Sequence, residues 1–157
     1  MKNLVMVRHS KTEMAAETDM KRQLTEQGMA DAVVLGRLFN DGGIKADLII
    51  SSNAARAKKT AQLIARGIKF NESSIVAEPL LYHCEPEEIV SFIKNCDDSV
   101  KSLIIVGHNP IILQAINLIG SERVARLQTS QAVKFQFGTE SWQEIGPDTC
   151  IHMIKIF

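Results

Sequence analysis

The apolar positions of this chain form short continuous runs that alternate with longer stretches of helical spacing. Continuous apolar runs are typical of strands buried on both faces, and they are found at residues 3–7, 48–50 and 102–106. Helical spacing predicts helices at residues 26–40, 54–66 and 110–119, and a further helix that begins at Pro86. This alternation of strand and helix predicts an α/β fold.

The other segments complete the predicted architecture. Residues 74–77 form a weaker strand pattern, and residues 11–23 are polar without periodicity, which predicts a loop or a frayed helix. Alternating apolar residues at Ala132–Phe137 and 149–157 predict two antiparallel strands at the edge of the sheet. We therefore expect one domain over residues 1–157, a three-layer α/β/α sandwich with a mostly parallel sheet.

Three of the predicted strands end at cationic side chains. Residues 3–7 lead into Arg8 and His9, residues 48–50 lead to Arg56, and residues 102–106 lead to His108. Ligands in open α/β sheets bind beyond the carboxyl ends of parallel strands. Two arginines and two histidines at that edge predict a site for a phosphoryl group.

Composition limits the classes of partner. Lys plus Arg and Asp plus Glu are both 18, so no overall charge favours nucleic acid or an anionic membrane. No apolar run approaches the ~20 residues of a membrane span. Three cysteines without C-x-x-C spacing, Cys84, Cys96 and Cys150, indicate reduced thiols and a cytoplasmic location.

The four residues suit phosphoryl transfer without a cofactor. Arginine forks bind phosphate oxygens in pairs, so Arg8 and Arg56 are expected to hold the group while His108 donates to another oxygen. His9 is the candidate nucleophile, since histidine forms covalent phospho-intermediates. No zinc spacing, phosphate-binding loop or dinucleotide fingerprint is found, so we expect neither a metal nor a nucleotide.

Several short segments, taken together, resemble one family. They are V-R-H-S at 7–10, L-T-E-Q-G at 24–28, S-S-N-A-A-R-A at 51–57, V-G-H-N-P at 106–110 and T-S at 129–130. In this order they resemble the SixA-type phosphohistidine phosphatase branch of the histidine phosphatase superfamily, which has the phosphoglycerate mutase-like fold. The resemblance covers roughly residues 4–137.

The resemblance implies roles for individual residues. His9 would be the nucleophile that becomes phosphorylated, and Arg8, Arg56 and His108 would form the phosphate pocket. Arg22 resembles an arginine that reaches toward the site in this branch, although a solvated loop charge explains it equally well.

One departure from the superfamily pattern bears on the substrate. Many mutases and phosphomonoesterases of the superfamily have L-x-E where this chain has Leu81-Tyr82-His83, and Glu85 is offset from that position. The family glutamate protonates an alkoxide leaving group, whereas a phosphoramidate can leave as neutral imidazole. We interpret His83 as a solvent-exposed bystander, with an acid role left open.

The sequence therefore predicts a metal-independent phosphohistidine phosphatase. Its expected substrate is a histidine-phosphorylated signalling or phosphotransfer protein, and its product is inorganic phosphate. Two alternatives stay open: a small phosphomonoesterase of the same superfamily, and a non-catalytic module that binds phosphorylated groups.

Overall fold

A computed structural model describes residues 1–156. Its strands are β1 Lys2–Arg8, β2 Leu48–Ser51, β3 Val76–Ala77, β4 Ser102–Gly107, β5 Ala132–Phe137 and β6 Cys150–Ile156. Its helices are α1 Glu26–Asp41, α2 Ala55–Gly67, α3 Pro86–Lys94 and α4 Ile111–Ile119. Single 3-10 turns lie at Asp19–Lys21, Glu72–Ser74, Pro79–Tyr82 and Trp142–Glu144.

All six strands form one sheet in the order β3-β2-β4-β1-β5-β6. Strands β1 to β4 pair in parallel, while β5 and β6 are antiparallel to their neighbours. The mostly parallel α/β prediction is confirmed. Of the two C-terminal strands, only β6 lies at the edge, because β5 pairs with both β1 and β6.

The sheet is covered on both faces, which gives the three predicted layers. On β1, Val5 and Val7 pack in the cluster that includes residues of α1 and α2, whereas Leu4 and Met6 pack in the cluster with residues of α3 and α4. Burial on both faces explains why the central strands are continuously apolar.

Most boundaries lie within one residue of the predictions, and the weak strand shows the larger difference. The weak strand expected at residues 74–77 shortens to Val76–Ala77, because Glu72–Ser74 closes a 3-10 turn in which the Asn71 side chain accepts from Ser73 N–H. The last predicted strand begins at Cys150 rather than at residue 149, and its predicted end, Phe157, lies outside the described residues.

The amino end of β1 is fixed by a buried lysine and a buried tryptophan. Lys2 has no exposed surface, and its Nζ donates to the carbonyls of Asp98 at 2.6 Å and Val100 at 2.9 Å. Trp142 Nε1 donates to the same Val100 carbonyl at 2.8 Å, and Nζ lies 5.3 Å from the Trp142 ring centroid. This polar cluster lies at the end of β1 opposite Arg8.

Two further expectations concern membrane-spanning helices and the state of the cysteines. No helix within residues 1–156 combines the length and hydropathy needed to cross a membrane. Cys84, Cys96 and Cys150 are free thiols.

Candidate active site at the carboxyl edge of the sheet

The carboxyl ends of β1, β2 and β4 bring four predicted residues together. Arg8 ends β1, and the backbone N–H of His9 donates to the Gly107 carbonyl at 3.0 Å. His108 directly follows β4, and its ring centroid lies 5.1 Å from that of His9. Arg56 lies in the first turn of α2, which follows β2. His9, Arg56 and His108 are all buried, as a binding pocket requires.

A backbone carbonyl determines the tautomer of His9. His9 Nδ1 lies 2.7 Å from the carbonyl oxygen of Ser10. Because a carbonyl only accepts hydrogen bonds, Nδ1 carries the proton and donates it. The lone pair of the neutral ring is therefore on Nε2, where a nucleophile needs it.

Both histidines are held neutral. Burial lowers the pKa of His9 to about 4, and the positive charges of Arg56, Arg8 and Arg22 act in the same direction against the Ser10 carbonyl. Burial also lowers the pKa of His108 to about 3. Burial is the larger cause for His9, and the neighbouring cations add to it.

Three nitrogen atoms in the pocket are buried without a hydrogen-bond partner among the described residues. They are Arg8 Nε, Arg56 Nε and His108 Nδ1. Arg8 Nη1, by contrast, donates to the Leu127 carbonyl at 3.1 Å. Buried polar groups in native proteins are nearly always satisfied, so the three nitrogen atoms fit a ligand with several acceptor oxygens.

Ser52 forms a hydrogen bond with the His108 ring. His108 Nε2 lies 2.8 Å from Ser52 Oγ, which also accepts from the N–H of Ala54 at 3.2 Å. We assign the Ser52 hydroxyl hydrogen to His108 Nε2, because no other acceptor for it is found among the described residues. In this arrangement His108 Nδ1 carries a proton and is a donor to the pocket.

The serine that follows His9 is held by two hydroxyl groups. Ser10 N–H donates to Thr60 Oγ1 at 3.0 Å, and Ser130 Oγ lies 2.6 Å from Ser10 Oγ. Ser130 has a φ of 61°, in the left-handed region, and its N–H donates to the His9 carbonyl. The T-S element thus lies against the His9–Ser10 turn.

Sequence reasoning missed Asp19 and Tyr82. Arg56 Nη1 donates to the Asp19 carbonyl at 2.8 Å, and Arg56 Nη2 donates to Asp19 Oδ2 at 3.0 Å. The Tyr82 hydroxyl donates to the same Oδ2 at 2.5 Å, and its ring meets His108 edge-on at 5.6 Å. No spacing rule marks Asp19, whereas Tyr82 had a weak signal as the single tyrosine of the chain.

Arg22 is fixed within the loop of residues 11–23. It donates to Thr12 Oγ1 at 2.6 Å, to the Glu13 carbonyl at 2.9 Å and to Asp19 Oδ1 at 3.2 Å. Arg22 is therefore neither a solvated charge nor one of the unpartnered donors in the pocket. It holds the loop that carries Asp19.

Neither of the two candidate acids after Leu81 is buried with the residues at the strand ends. His83 is exposed. Glu85 is the N-cap of α3 and forms a capping box with Glu88. Among residues 1–156 no group of three or more His, Cys, Asp or Glu side chains is arranged to hold a metal ion.

The sequence profile of the histidine phosphatase superfamily (branch 1) matches residues 4–82. The chain belongs to this superfamily. Among curated proteins, it is 32% identical over 74 residues to the mitochondrial serine/threonine-protein phosphatase Pgam5 of Drosophila mojavensis, a match covering 47% of this chain. The match spans only 26% of that relative.

Solved structures agree with the family and the fold. The SixA phosphohistidine phosphatase candidate from Agrobacterium tumefaciens has a TM-score of 0.77 and 30% identity, covering 87% of this chain and 92% of that one. A protein histidine phosphatase SixA complexed with tungstate has a TM-score of 0.80, with 15% identity, and covers 99% and 94%. The predicted fold and the SixA-type resemblance are confirmed, and the predicted phosphatase class agrees with the names of these relatives.

Proposed function

We propose that this chain is a phosphohistidine phosphatase that acts through a covalent phospho-His9 intermediate without a metal ion. The observation that carries the proposal is the Nδ1–H···O bond from His9 to Ser10, which leaves the Nε2 lone pair in a pocket with unpartnered donors. The single domain would span residues 1–157, and its substrate would be a histidine-phosphorylated signalling or phosphotransfer protein in the cytoplasm.

The proposed reaction has two displacements at phosphorus. His9 Nε2 forms a bond to phosphorus, and the P–N bond to the substrate histidine breaks with its electron pair going to the leaving nitrogen. When the other ring nitrogen of the substrate is protonated, the leaving group is neutral imidazole. Water then attacks phospho-His9, His9 leaves as the neutral Nδ1–H tautomer, and the water proton remains on the released phosphate.

Arg8, Arg56 and His108 would stabilise the transferring group. Its charge is spread over three oxygens, so positioned donors lower the barrier. The two guanidinium groups supply permanent positive charge, and His108 Nδ1–H supplies a neutral donor beside the attacking ring. These residues would also bind the substrate phosphate, while Arg22 would act only through the loop.

The lack of a positioned acid among the described side chains of the pocket favours a phosphoramidate substrate. His9 and His108 are neutral at pH 7, because burial lowers both pKa values far below that pH. Hydrogen bonds from Tyr82, Arg22 and Arg56 lower the pKa of Asp19, so this carboxylate is ionised. An alkoxide leaving group needs a proton donor, whereas imidazole does not. The 30% identity to the SixA candidate supports the same substrate class.

The decisive experiment is phosphate release from a phosphohistidine-bearing carrier protein in the presence of a chelator. We expect turnover by the wild type, and loss of turnover and of a trapped phosphoenzyme in His9→Ala. His83→Ala is the matched control, since His83 is an exposed histidine. Hydrolysis of small phosphomonoesters alone would favour a phosphomonoesterase, and binding without turnover of either substrate would favour a binding module.

A further inference from the structure

We propose that Asp19 is a specificity-determining residue that accepts a hydrogen bond from the free ring N–H of the substrate phosphohistidine. This inference rests on the proposed function and names the feature of the leaving group that the site recognises. It assigns the loop of residues 11–23 a direct contact with the substrate.

The first argument is that different nitrogen atoms of Arg56 can bind Asp19 and a phosphoryl oxygen at the same time. Its two terminal nitrogens hold Asp19, one through the backbone carbonyl and one through Oδ2, while Nε is buried and unpartnered within the described residues. Arg56 therefore offers Nε to a phosphoryl oxygen without releasing Asp19. Phosphate binding and the position of the carboxylate are compatible.

The second argument is the hydrogen-bonding capacity that Asp19 retains. Oδ2 accepts from Arg56 and Tyr82, which uses both of its acceptor positions. Oδ1 accepts only from Arg22, at 3.2 Å, among the described residues. The Asp19 side chain is 51% exposed, and one acceptor position of Oδ1 is unused among the described residues.

The third argument is electrostatic. Asp19 pairs with Arg56 and Arg22, and a carboxylate beside a phosphate site also attracts a cationic part of the substrate. The ring of phosphohistidine with its second nitrogen protonated is such a group. Accepting that proton in a hydrogen bond favours the form that leaves as neutral imidazole.

The groups around Asp19 determine the expected pH effect. The charged and titratable groups that face it are Arg22 in the same loop, Arg56 of α2, Tyr82 after β3 and His108 after β4. Glu17 and Lys21, also in the loop, pair with each other. None of the four facing groups is a second carboxylate, so removal of the Asp19 charge leaves the bound imidazolium without an anionic partner among them.

The test compares Asp19→Asn with the wild type on a phosphohistidine peptide and on 4-nitrophenyl phosphate. We expect kcat/KM for the peptide to fall about 10-fold to 100-fold, the effect of one charge-assisted hydrogen bond. The ratio of the peptide value to the aryl phosphate value should fall by about 10-fold or more, because the aryl leaving group has no N–H that Asp19 could accept. The alkaline limb of kcat for the peptide should move to lower pH, since the carboxylate no longer stabilises the protonated ring.

Tyr82→Phe is the matched control, because it removes one hydrogen bond to Oδ2 and keeps the carboxylate charge. Its ratio of peptide to aryl phosphate kcat/KM should stay within about twofold of the wild type, far less than the change expected from losing a charged acceptor. A second measurement needs no variant: wild type should prefer phosphoimidazole to its N′-methyl analogue, each rate normalised to spontaneous hydrolysis. The analogue is permanently cationic but lacks the N–H.

The outcomes separate this inference from the proposed function. Failure of the wild type to hydrolyse phosphohistidine overturns both. A wild type that turns over phosphohistidine, with Asp19→Asn slowing both substrates equally and the alkaline limb unmoved, overturns the inference alone. Equal normalised rates on phosphoimidazole and its methyl analogue overturn it as well.

Discussion

Gly28, in the first turn of α1, lies directly against the backbone of Lys11. A Cβ atom at position 28 would overlap the Lys11 carbonyl oxygen, and that oxygen also accepts from the N–H of Thr25 at 3.0 Å. The contact fixes the start of the loop of residues 11–23 only two residues after His9. It gives a physical reason for the glycine in the L-T-E-Q-G segment.

Gly28→Ala is therefore expected to lower kcat/KM and stability together. Alanine favours the helix by about 1 kcal/mol, but overpacking against backbone costs roughly 1–3 kcal/mol and the clash wins. The displaced loop carries Asp19 away from Arg56. Gly146→Ala is the control, since its Cβ would meet no atom within 4 Å. Chemical unfolding and phosphohistidine turnover measure both effects, and a Gly28→Ala protein as stable and active as the control would contradict this account.

The buried histidines make the protein acid-sensitive. The pKa of His9 is about 4 and that of His108 about 3 in the folded protein, against 6.5 for an ordinary histidine. The unfolded chain therefore binds more protons, so stability is highest above pH 6.5 and is lost as pH falls toward 4. Between pH 7 and pH 5 we expect a loss of about 2 kcal/mol per histidine.

His9→Gln and His108→Gln isolate these contributions. The difference in the free energy of unfolding between pH 7 and pH 5 should shrink in each variant, by about 2 kcal/mol relative to the wild type. His83→Gln is the control, because it makes the same substitution at an exposed position and should leave the pH dependence of unfolding nearly unchanged. An unchanged pH dependence in both pocket variants would show that the two rings are not protonated on unfolding.

The sequence was sufficient for the fold and for the four residues at the strand ends, because both depend on short-range signals. Buried strands are continuously apolar, and a residue directly after a parallel strand must lie at the carboxyl edge. Arg8 and His108 were placed in this way. Asp19 was not predicted because it lies in a loop without periodicity, and its contact with Arg56 spans 37 positions of the chain. Only the folded packing of that loop brings it to the pocket.

The buried Lys2 yields a prediction about stability away from the site. Lys2→Met removes the donor to the Asp98 carbonyl, while the Val100 carbonyl keeps its bond from Trp142 Nε1. A hydrogen bond from a charged donor contributes about 1.5–3 kcal/mol. We expect that loss in chemical unfolding with kcat unchanged.

Lys101→Met is the matched control for Lys2→Met. Lys101 pairs with Glu140 at 3.1 Å, but both side chains are more than half exposed. Exposed ion pairs contribute at most about 1 kcal/mol. If Lys2→Met costs no more than Lys101→Met, the lysine hydrogen bonds contribute no net stability at the amino end of β1.

Ser52→Ala tests whether the tautomer of His108 matters for turnover. Without the hydroxyl, Nε2 loses its partner at 2.8 Å, and the neutral ring is free to place its proton on either nitrogen. The fraction with Nδ1–H directed into the pocket falls, so we expect kcat/KM to drop about 10-fold, as for loss of one hydrogen bond in the transition state. Nitrogen chemical shifts of the ring report the tautomer directly.

Ser52→Thr, which keeps a hydroxyl, should retain the Nδ1–H tautomer. A Ser52→Ala enzyme with full activity and an unchanged tautomer would show that the pocket orients His108 by other means.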